Sequence, residues 1–581
     1  METVNIKING QPLSVPKGFT ILEAARQAGI RIPTLCYLKD INEIGACRMC
    51  LVEIKGGRAP VAACVYPVNE GLEIFTNTEK AQKARRFALE LILSTHDRHC
   101  LSCIRNTTCE LQKLCIEYGV DDENRFDGKR KTYEIDNTTG VIVRDNNKCI
   151  VCRRCAAACD KLQSVGVINV NDRGFDTHIG CAFEKDLGQV PCVSCGQCIV
   201  ACPTGALHER DDSQIVWDAI HDPTKHVIVQ PAPSVRVTLG ECFGMPIGTN
   251  VKGKMVAAMR RLGFDKVFDT DFSADLTIME EATEFIERLT TGGKLPLITS
   301  CSPGWIKFCE FYFPEFLENL STCKSPQQMF GAVAKTYYAK KAGIDPKDIF
   351  VVSIMPCTAK KFERNRDDQA ASGYPDIDAA LTTRELGRMI EMAGLDFTSL
   401  PDEEFDGPLG ESSGAGAIFG ATGGVMEAAL RTAAEVITGK PLEKVEFNEV
   451  RGTDPIKEAT YKIGAIEVRV AVTSGLANAR KLLNDIKSGK KDYNFVEIMA
   501  CPGGCVNGGG QPTQPASIRN CTDVSSLRGK ALYKEDAGLP IRKSHENPSI
   551  QRLYAEYFEK PGSRKAHEVL HTHYSAKKKY Q

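Results

Sequence analysis

Alternation of apolar and polar positions opens the chain. VNIKI and QPLSV flank Asn9-Gly10, the pattern of a β-hairpin closed by a tight turn. Thr20-Ile-Leu-Glu23 follows as a capping box ahead of the helical run ILEAARQA, which Gly29 closes. A second helical pattern, KAQKARRFALELIL, runs from Glu79 to Thr95 and ends at His96. Residues from about 121 to 148 are charged and rich in Asn and Asp, which predicts a connector. After about residue 210 apolar runs (HVIVQ, PLIT, IFVVSI, NFVEIM) alternate with helical stretches such as KGKMVAAMRRLGF and TTRELGRMIEMAG. That alternation predicts parallel sheets flanked by helices. The basic tail SRKAHEVLHTHYSAKKKY is amphipathic, and packing on the large domain is expected of it.

Charge excludes some partners. With 73 Lys+Arg against 74 Asp+Glu, nothing global favours nucleic acid or an anionic membrane. No apolar run approaches the roughly 18 residues of a membrane span. The start METVNIKING has no export pattern, so a soluble, cytoplasmic protein is expected. A reducing compartment argues against disulfides, and the 25 cysteines come in tight groups, so metal is the first hypothesis.

Cys36, Cys47, Cys50 and Cys64 have one tight pair and two distant partners, a set that suits zinc or a [2Fe–2S] cluster. Zinc sites usually show two tight pairs. The hairpin, helix and cysteine loop resemble plant-type ferredoxins, which favours iron. His96, Cys100, Cys103 and Cys109 follow at a helix end. Three cysteines leave a cubane one ligand short, and an imidazole can complete it; His99 is a rival, but it directly precedes Cys100. This spacing resembles the His/Cys3 cluster of iron hydrogenases and complex I. Cys149, Cys152, Cys155 and Cys159 make C-x2-C-x2-C-x3-C, which Cys192, Cys195, Cys198 and Cys202 repeat. In that bacterial ferredoxin pattern the fourth cysteine of each run serves the other cluster. Cys202 is therefore expected with Cys149, Cys152 and Cys155, and Cys159 with the later three.

Three further loops, TSCSPGW, MPCTAKKFE and EIMACPGGCVNGGGQP, each follow a strand-like run. Sites in open α/β sheets form beyond the carboxyl ends of strands, so these loops can converge on one site. Scattered buried cysteines are the bland alternative. The loops resemble the signature motifs of [FeFe]-hydrogenases, and the resemblance covers essentially the whole chain, best matching the long clostridial-type and NAD(P)-linked catalytic subunits. It implies an H-cluster, a cubane bridged to a diiron unit carrying CO, cyanide and azadithiolate. It implies Cys357, Cys501 and Cys505 as cubane ligands, and Ala232, Pro233, Ser325, Gln327, Met355, Lys360, Phe419 and Met499 around the diiron unit. Cys301, Glu281, Ser321, Glu284 and Arg288 match the family's proton route. Glu281, Glu284 and Arg288 share one helical face by spacing; a solvated charged helix is the plain alternative.

One position departs from the pattern. Relatives carry two cysteines before the proline of the first loop, a proton carrier and then the fourth ligand; here the order is Cys301-Ser302-Pro303. Either Cys301 shifts to bind iron, or the site is weakened or modified. GESSGAGAIFGATGG lacks a dinucleotide fingerprint and is expected to line the cofactor cavity. Cys115, Cys181, Cys242, Cys309, Cys323 and Cys521 remain for packing or surface, with Cys323 near the active-site wall.

The resemblance implies a multidomain α+β and α/β protein: ferredoxin-like iron–sulfur domains, then a large α/β catalytic domain with two sheet-containing lobes. The expected units are a plant-type [2Fe–2S] domain (1–80), a His/Cys3 [4Fe–4S] domain (81–121), a two-[4Fe–4S] domain (139–210), an H-cluster domain (211–525) and a C-terminal segment (526–581). The expected activity is reversible interconversion of H2 with protons and electrons. No flavin or nicotinamide site is visible, so electrons go to ferredoxin or to a flavin-bearing, NAD(P)H-linked partner subunit, with or without bifurcation. The rivals are an electron-relay subunit and a non-catalytic assembly or hydrogen-sensing relative.

Overall fold

Asn9 and Gly10 both take positive φ (50° and 84°). That turn brings Ile8 opposite Gln11 and pairs strand Thr3–Ile8 with Gln11–Pro16. The computed structural model describes residues 2–121, 124–126 and 131–580. The hairpin belongs to a five-stranded sheet that continues through Glu73–Phe75, Leu51–Ile54 and Val61–Ala62. Val4, Ile6 and Ile8 alternate inward against helix Ile21–Gln27, whose reciprocal Thr20–Glu23 capping box forms as expected. The helix expected before His96 spans Glu79–Leu93.

The expected connector at about 121–148 is in part a strand. Ile142–Arg144 pairs antiparallel with Leu207–Glu209, because Val141, Ile142 and Val143 supply three buried apolar side chains within the polar run. Asp136 anchors the approach by accepting from the Thr138 hydroxyl and the Leu187 amide. Residues 122–123 and 127–130 of that connector lie outside the described residues.

The catalytic region has the two expected sheets. One is all-parallel, with the order Lys266–Val267, His226–Pro231, Ile349–Met355 and Ala379–Thr382. The other runs Leu297–Ile298, Phe495–Met499, Ile466–Ser474 and Ile456–Ile463, with only the last pair antiparallel. Helix Thr270–Thr291 serves both cores. Phe272 and Leu276 pack in one cluster, while Ala274, Ile278 and Phe285 pack in the other. Asp269 caps it by accepting from the Asp271 amide. The tail docks on this body through helix Arg564–Leu570 and a short antiparallel bridge between Cys323 and His571.

Candidate active site and metal centres

Strands of both sheets end in the cysteine loops. Ile349–Met355 leads into Cys357, Phe495–Met499 into Cys501 and Leu297–Ile298 into Cys301. The loops of the two lobes are joined where the Gly510 amide donates to the Pro356 carbonyl at 2.7 Å. Gly504, between Cys501 and Cys505, has φ 97°, and a methyl group there would meet the Thr422 amide at 2.6 Å. This close approach seats the cysteine loop on the glycine-rich stretch, which Glu497 holds by accepting from the Gly423 and Met426 amides at 2.7 and 2.8 Å. Burial pushes the Cys505 thiol up, and the neighbouring Cys357 and Cys501 add to the effect.

The residues matched to the diiron enclosure, Ala232, Pro233, Ser325, Gln327, Met355, Lys360, Phe419 and Met499, are all buried. Three of them converge on a carboxylate that sequence reasoning passed over. Lys360 Nζ and Ser325 Oγ donate to Glu363 Oε2 at 2.8 Å, and Gln327 Nε2 does so at 3.0 Å. Glu363 sits one helical turn after Lys360 within MPCTAKKFE, so its spacing was the available signal.

Cys301 and Ser302 face different ways. Cys301 packs with Cys505 against Phe419 and Met499, and burial pushes its thiol up, with Cys505 and Glu281 adding to the effect. Ser302 Oγ instead accepts from the Ala500 amide at 3.2 Å, next to Cys501. Beyond Cys301, Glu281 is buried, and its carboxyl is pushed up to about 8 by desolvation and by the Glu284 charge. Ser321 Oγ donates to Glu284 Oε2 at 3.1 Å and Arg288 donates to Glu284 Oε1 at 2.5 Å. The solvated-helix alternative does not describe these groups.

Cys149, Cys152, Cys155 and Cys202 line one small cavity, while Cys159, Cys192, Cys195 and Cys198 line another. This is the crossed grouping. Cys50 and Cys64 have their sulfurs 3.3 Å apart, and the Cys47 amide points at the Cys36 sulfur. His96 is buried with Nδ1 unpartnered, and burial lowers it to about 4, a neutral imidazole; His99 is exposed and paired with Asp97. Among the described residues no cysteine is paired in a disulfide. An unsatisfied buried imidazole at His96 and thiols grouped in fours fit iron–sulfur clusters by donor chemistry.

These groups touch one another. Asn42, also missed in the sequence, donates to the Cys36 carbonyl at 2.7 Å and to the Cys152 carbonyl at 3.0 Å. The Glu110 amide, next to Cys109, donates to the carbonyl of Pro203, next to Cys202, at 3.0 Å. Thr358, next to Cys357, donates to the Ser194 carbonyl at 2.7 Å. Cys323 lies beside Glu284, its sulfur 3.8 Å from Oε2, and its carbonyl accepts from the Ser300 hydroxyl.

Residues 225–509 match the family described as iron only hydrogenase large subunit, C-terminal domain, and residues 522–577 the iron hydrogenase small subunit. Residues 1–79 match a 2Fe-2S iron-sulfur cluster binding domain, and 85–124 the NADH-ubiquinone oxidoreductase-G iron-sulfur binding region. The chain is 48% identical to the NADP-reducing hydrogenase subunit HndD of Solidesulfovibrio fructosivorans, with 99% of each chain covered. It is 44% identical to iron hydrogenase 1 of Clostridium pasteurianum, over 98% of this chain and 99% of that one. A solved structure of [FeFe]-hydrogenase HydA1 from Chlamydomonas reinhardtii matches with TM-score 0.56 and 44% identity, covering 62% of this chain and 98% of the other. The chain therefore belongs to the [FeFe]-hydrogenase family and is a catalytic iron-only hydrogenase with accessory iron–sulfur domains in front of its catalytic domain.

Proposed function

We propose that this chain interconverts H2 with two protons and two electrons at an H-cluster held by Cys357, Cys501 and Cys505, and that four accessory clusters carry the electrons. Their ligands are Cys36, Cys47, Cys50 and Cys64 for a [2Fe–2S] cluster, and His96, Cys100, Cys103 and Cys109 for one cubane. Cys149, Cys152, Cys155 and Cys202 hold a second cubane, and Cys159, Cys192, Cys195 and Cys198 a third. The expected units 1–80, 81–121, 139–210, 211–525 and 526–581 follow this division. Cys301 takes the proton-carrier position, because its thiol shares surroundings with Glu281 and Lys360. Ser302, whose oxygen accepts from the Ala500 amide next to Cys501, would then be the residue at the family's fourth ligand position.

When bound, the H-cluster supplies the redox chemistry of the H–H bond. The chain supplies what surrounds it. Lys360, held by Glu363 through one N–H, would present its remaining donors in a buried pocket, where hydrogen bonds to an anionic ligand are strong, while Ser325 and Gln327 fix Glu363. Glu281, neutral at pH 7, can accept and release a proton between Cys301 and Ser321. The observation that carries the reading is the position of the Cys357–Cys505 loops, with the ferredoxin loop at Ser194–Gln197 on one side and the Glu281 path on the other.

Likeness to an NADP-reducing hydrogenase subunit supports an NAD(P)-linked multi-subunit complex, with a flavin-bearing partner docking at the front modules; ferredoxin is the other acceptor. Among the described residues no helix is long and apolar enough to cross a membrane, and the reading places the enzyme in the reducing cytoplasm. Cys301→Ala tests the site. Retained cubane EPR signals and CO and cyanide infrared bands with lost turnover are expected; loss of the cubane would make Cys301 an iron ligand.

A further inference from the structure

The proton path described above has a chemical gap at its outer end. Arg288 is its last member, yet a guanidinium does not release its proton in proteins. Its fork is also committed, donating to Glu284 Oε1 at 2.5 Å and to the carbonyls of Leu320 at 2.9 Å and Glu318 at 3.1 Å. Arg288 holds Glu284 in place, so beside the small direct solvent contact of Glu284 the path needs a proton-exchanging group.

The tail supplies one. Thr322 Oγ1 lies 3.3 Å from Glu284 Oε2 and 2.7 Å from His571 Nδ1. His571 Nε2 lies 3.1 Å from Glu280 Oε2, and that buried carboxylate also accepts from the Tyr554 hydroxyl and the Gly562 amide, at 2.5 and 2.9 Å. Carboxylate, imidazole and hydroxyl in this order fix the orientation of the ring. Outward, the His571 ring packs on that of His567, with centroids 4.1 Å apart, and His567 is exposed. The backbone fixes this arrangement, since the Thr572 amide donates to the Thr322 carbonyl at 2.7 Å and the Lys324 amide to the Leu570 carbonyl at 2.8 Å.

We propose that His571 is the outer proton-exchange group of this hydrogenase, feeding Glu284 through the Thr322 hydroxyl. This rests on the reading of Glu281, Ser321 and Glu284 as the proton path. In the inward direction His571 Nδ1–H gives its proton to Thr322 Oγ1 while the Thr322 hydroxyl proton passes to Glu284 Oε2. Imidazolium becomes neutral imidazole, carboxylate becomes carboxylic acid, and solvent recharges the ring of His571, which is partly exposed. Hydrogen oxidation runs the same transfers in reverse. An imidazole suits the place, because its two ring nitrogens face opposite partners, Nδ1 the Thr322 hydroxyl and Nε2 the Glu280 carboxylate. The groups facing it are Glu280 and Glu284 from the long helix, Cys323 from the bridging strand, Tyr554 through Glu280, and His567 on its own segment.

Two variants test it in the holoenzyme. His571→Asn keeps a hydrogen-bonding partner for Thr322 but carries no proton near neutral pH. Thr322→Val removes the hydroxyl yet leaves the backbone amide that holds Glu284 at 3.0 Å. Both should lower turnover by roughly tenfold, less than the ~100-fold of a sole acid–base group because Glu284 keeps some direct solvent contact. Both should flatten the pH profile between pH 5 and 8, with infrared bands and cluster EPR unchanged, and free imidazole should restore His571→Asn only. Wild-type turnover and pH profile in Thr322→Val would overturn the proposal, whether or not His571→Asn folds. A slow His571→Asn beside a normal Thr322→Val would leave His571 a structural tie. Glu281→Gln separates the two readings: if it retains turnover, the underlying path fails; if it alone abolishes turnover, only the His571 arm fails.

Discussion

Gly196 and Gly509 lie in direct backbone contact: a methyl group on Gly196 would stand 2.8 Å from the Gly509 Cα, and one on Gly509 would stand 2.7 Å from the Gly196 Cα. Gly196 belongs to the loop of Cys195 and Cys198, and Gly509 to the loop that follows Cys505. Two cysteine-bearing loops thus meet backbone to backbone, an approach that glycine permits at both positions.

Gly509→Ala should therefore force the loops apart at a cost of about 1–3 kcal/mol in stability. The electronic consequence is separable from the structural one. H2 turnover with an artificial dye reduced at the front clusters should fall several-fold, while H/D exchange, which needs no electron exit, should persist. Equal loss of both would show that the substitution had damaged the active site itself.

Glu363 accepts from Lys360, Ser325 and Gln327. Glu363→Gln leaves a buried ammonium unpaired, a change that typically costs about 3–5 kcal/mol. Chemical denaturation of the cluster-free protein should show a loss of that order. The loss should shrink once the H-cluster is installed, because Lys360 then has an anionic ligand to contact. An equal loss in both forms would mean that Lys360 does not face the diiron unit.

Glu281 has a carboxyl raised from 4.5 to about 8 by burial, so its contribution runs opposite to that of a salt-bridged acid. The native state keeps the proton that the unfolded chain has lost, so this term favours folding fully below pH 4.5 and is lost as pH rises through about 8. Glu281→Gln removes it, up to about 5 kcal/mol in the limit. The variant should gain stability relative to wild type between pH 6 and 9 while losing H2 turnover by about 100-fold or more. A pH-independent stability difference would show that the carboxyl is not buried as described.

Cys202 shares a cavity with Cys149, Cys152 and Cys155, whereas Cys198 shares one with Cys159. Cys202→Ala should strip or convert the first cluster and spare the second, as read by EPR and iron content. The reverse result would place the fourth ligands within their own runs.

Several features were legible in the residues because their cause is local. Asn9-Gly10 adopts the positive φ pair of its turn, and Thr20 and Glu23 cap a helix three residues apart. Cysteine spacings bring donors together within one loop, and the apolar runs after residue 210 became the strands of two sheets. Tertiary packing decided the rest. The polar stretch before Cys149 became a strand because three consecutive apolar residues found Leu207–Glu209 as an edge, which no local pattern reports. Cys301 and Ser302 are adjacent in sequence, yet one faces Glu281 and the other Ala500, a choice set by the entry into helix Pro303–Tyr312. Asn42 reaches across 110 residues to Cys152, and Thr322 across 249 to His571. Contacts of that range depend on how separately folded surfaces meet; a sequence displays the donors and acceptors, and only the packed chain pairs them.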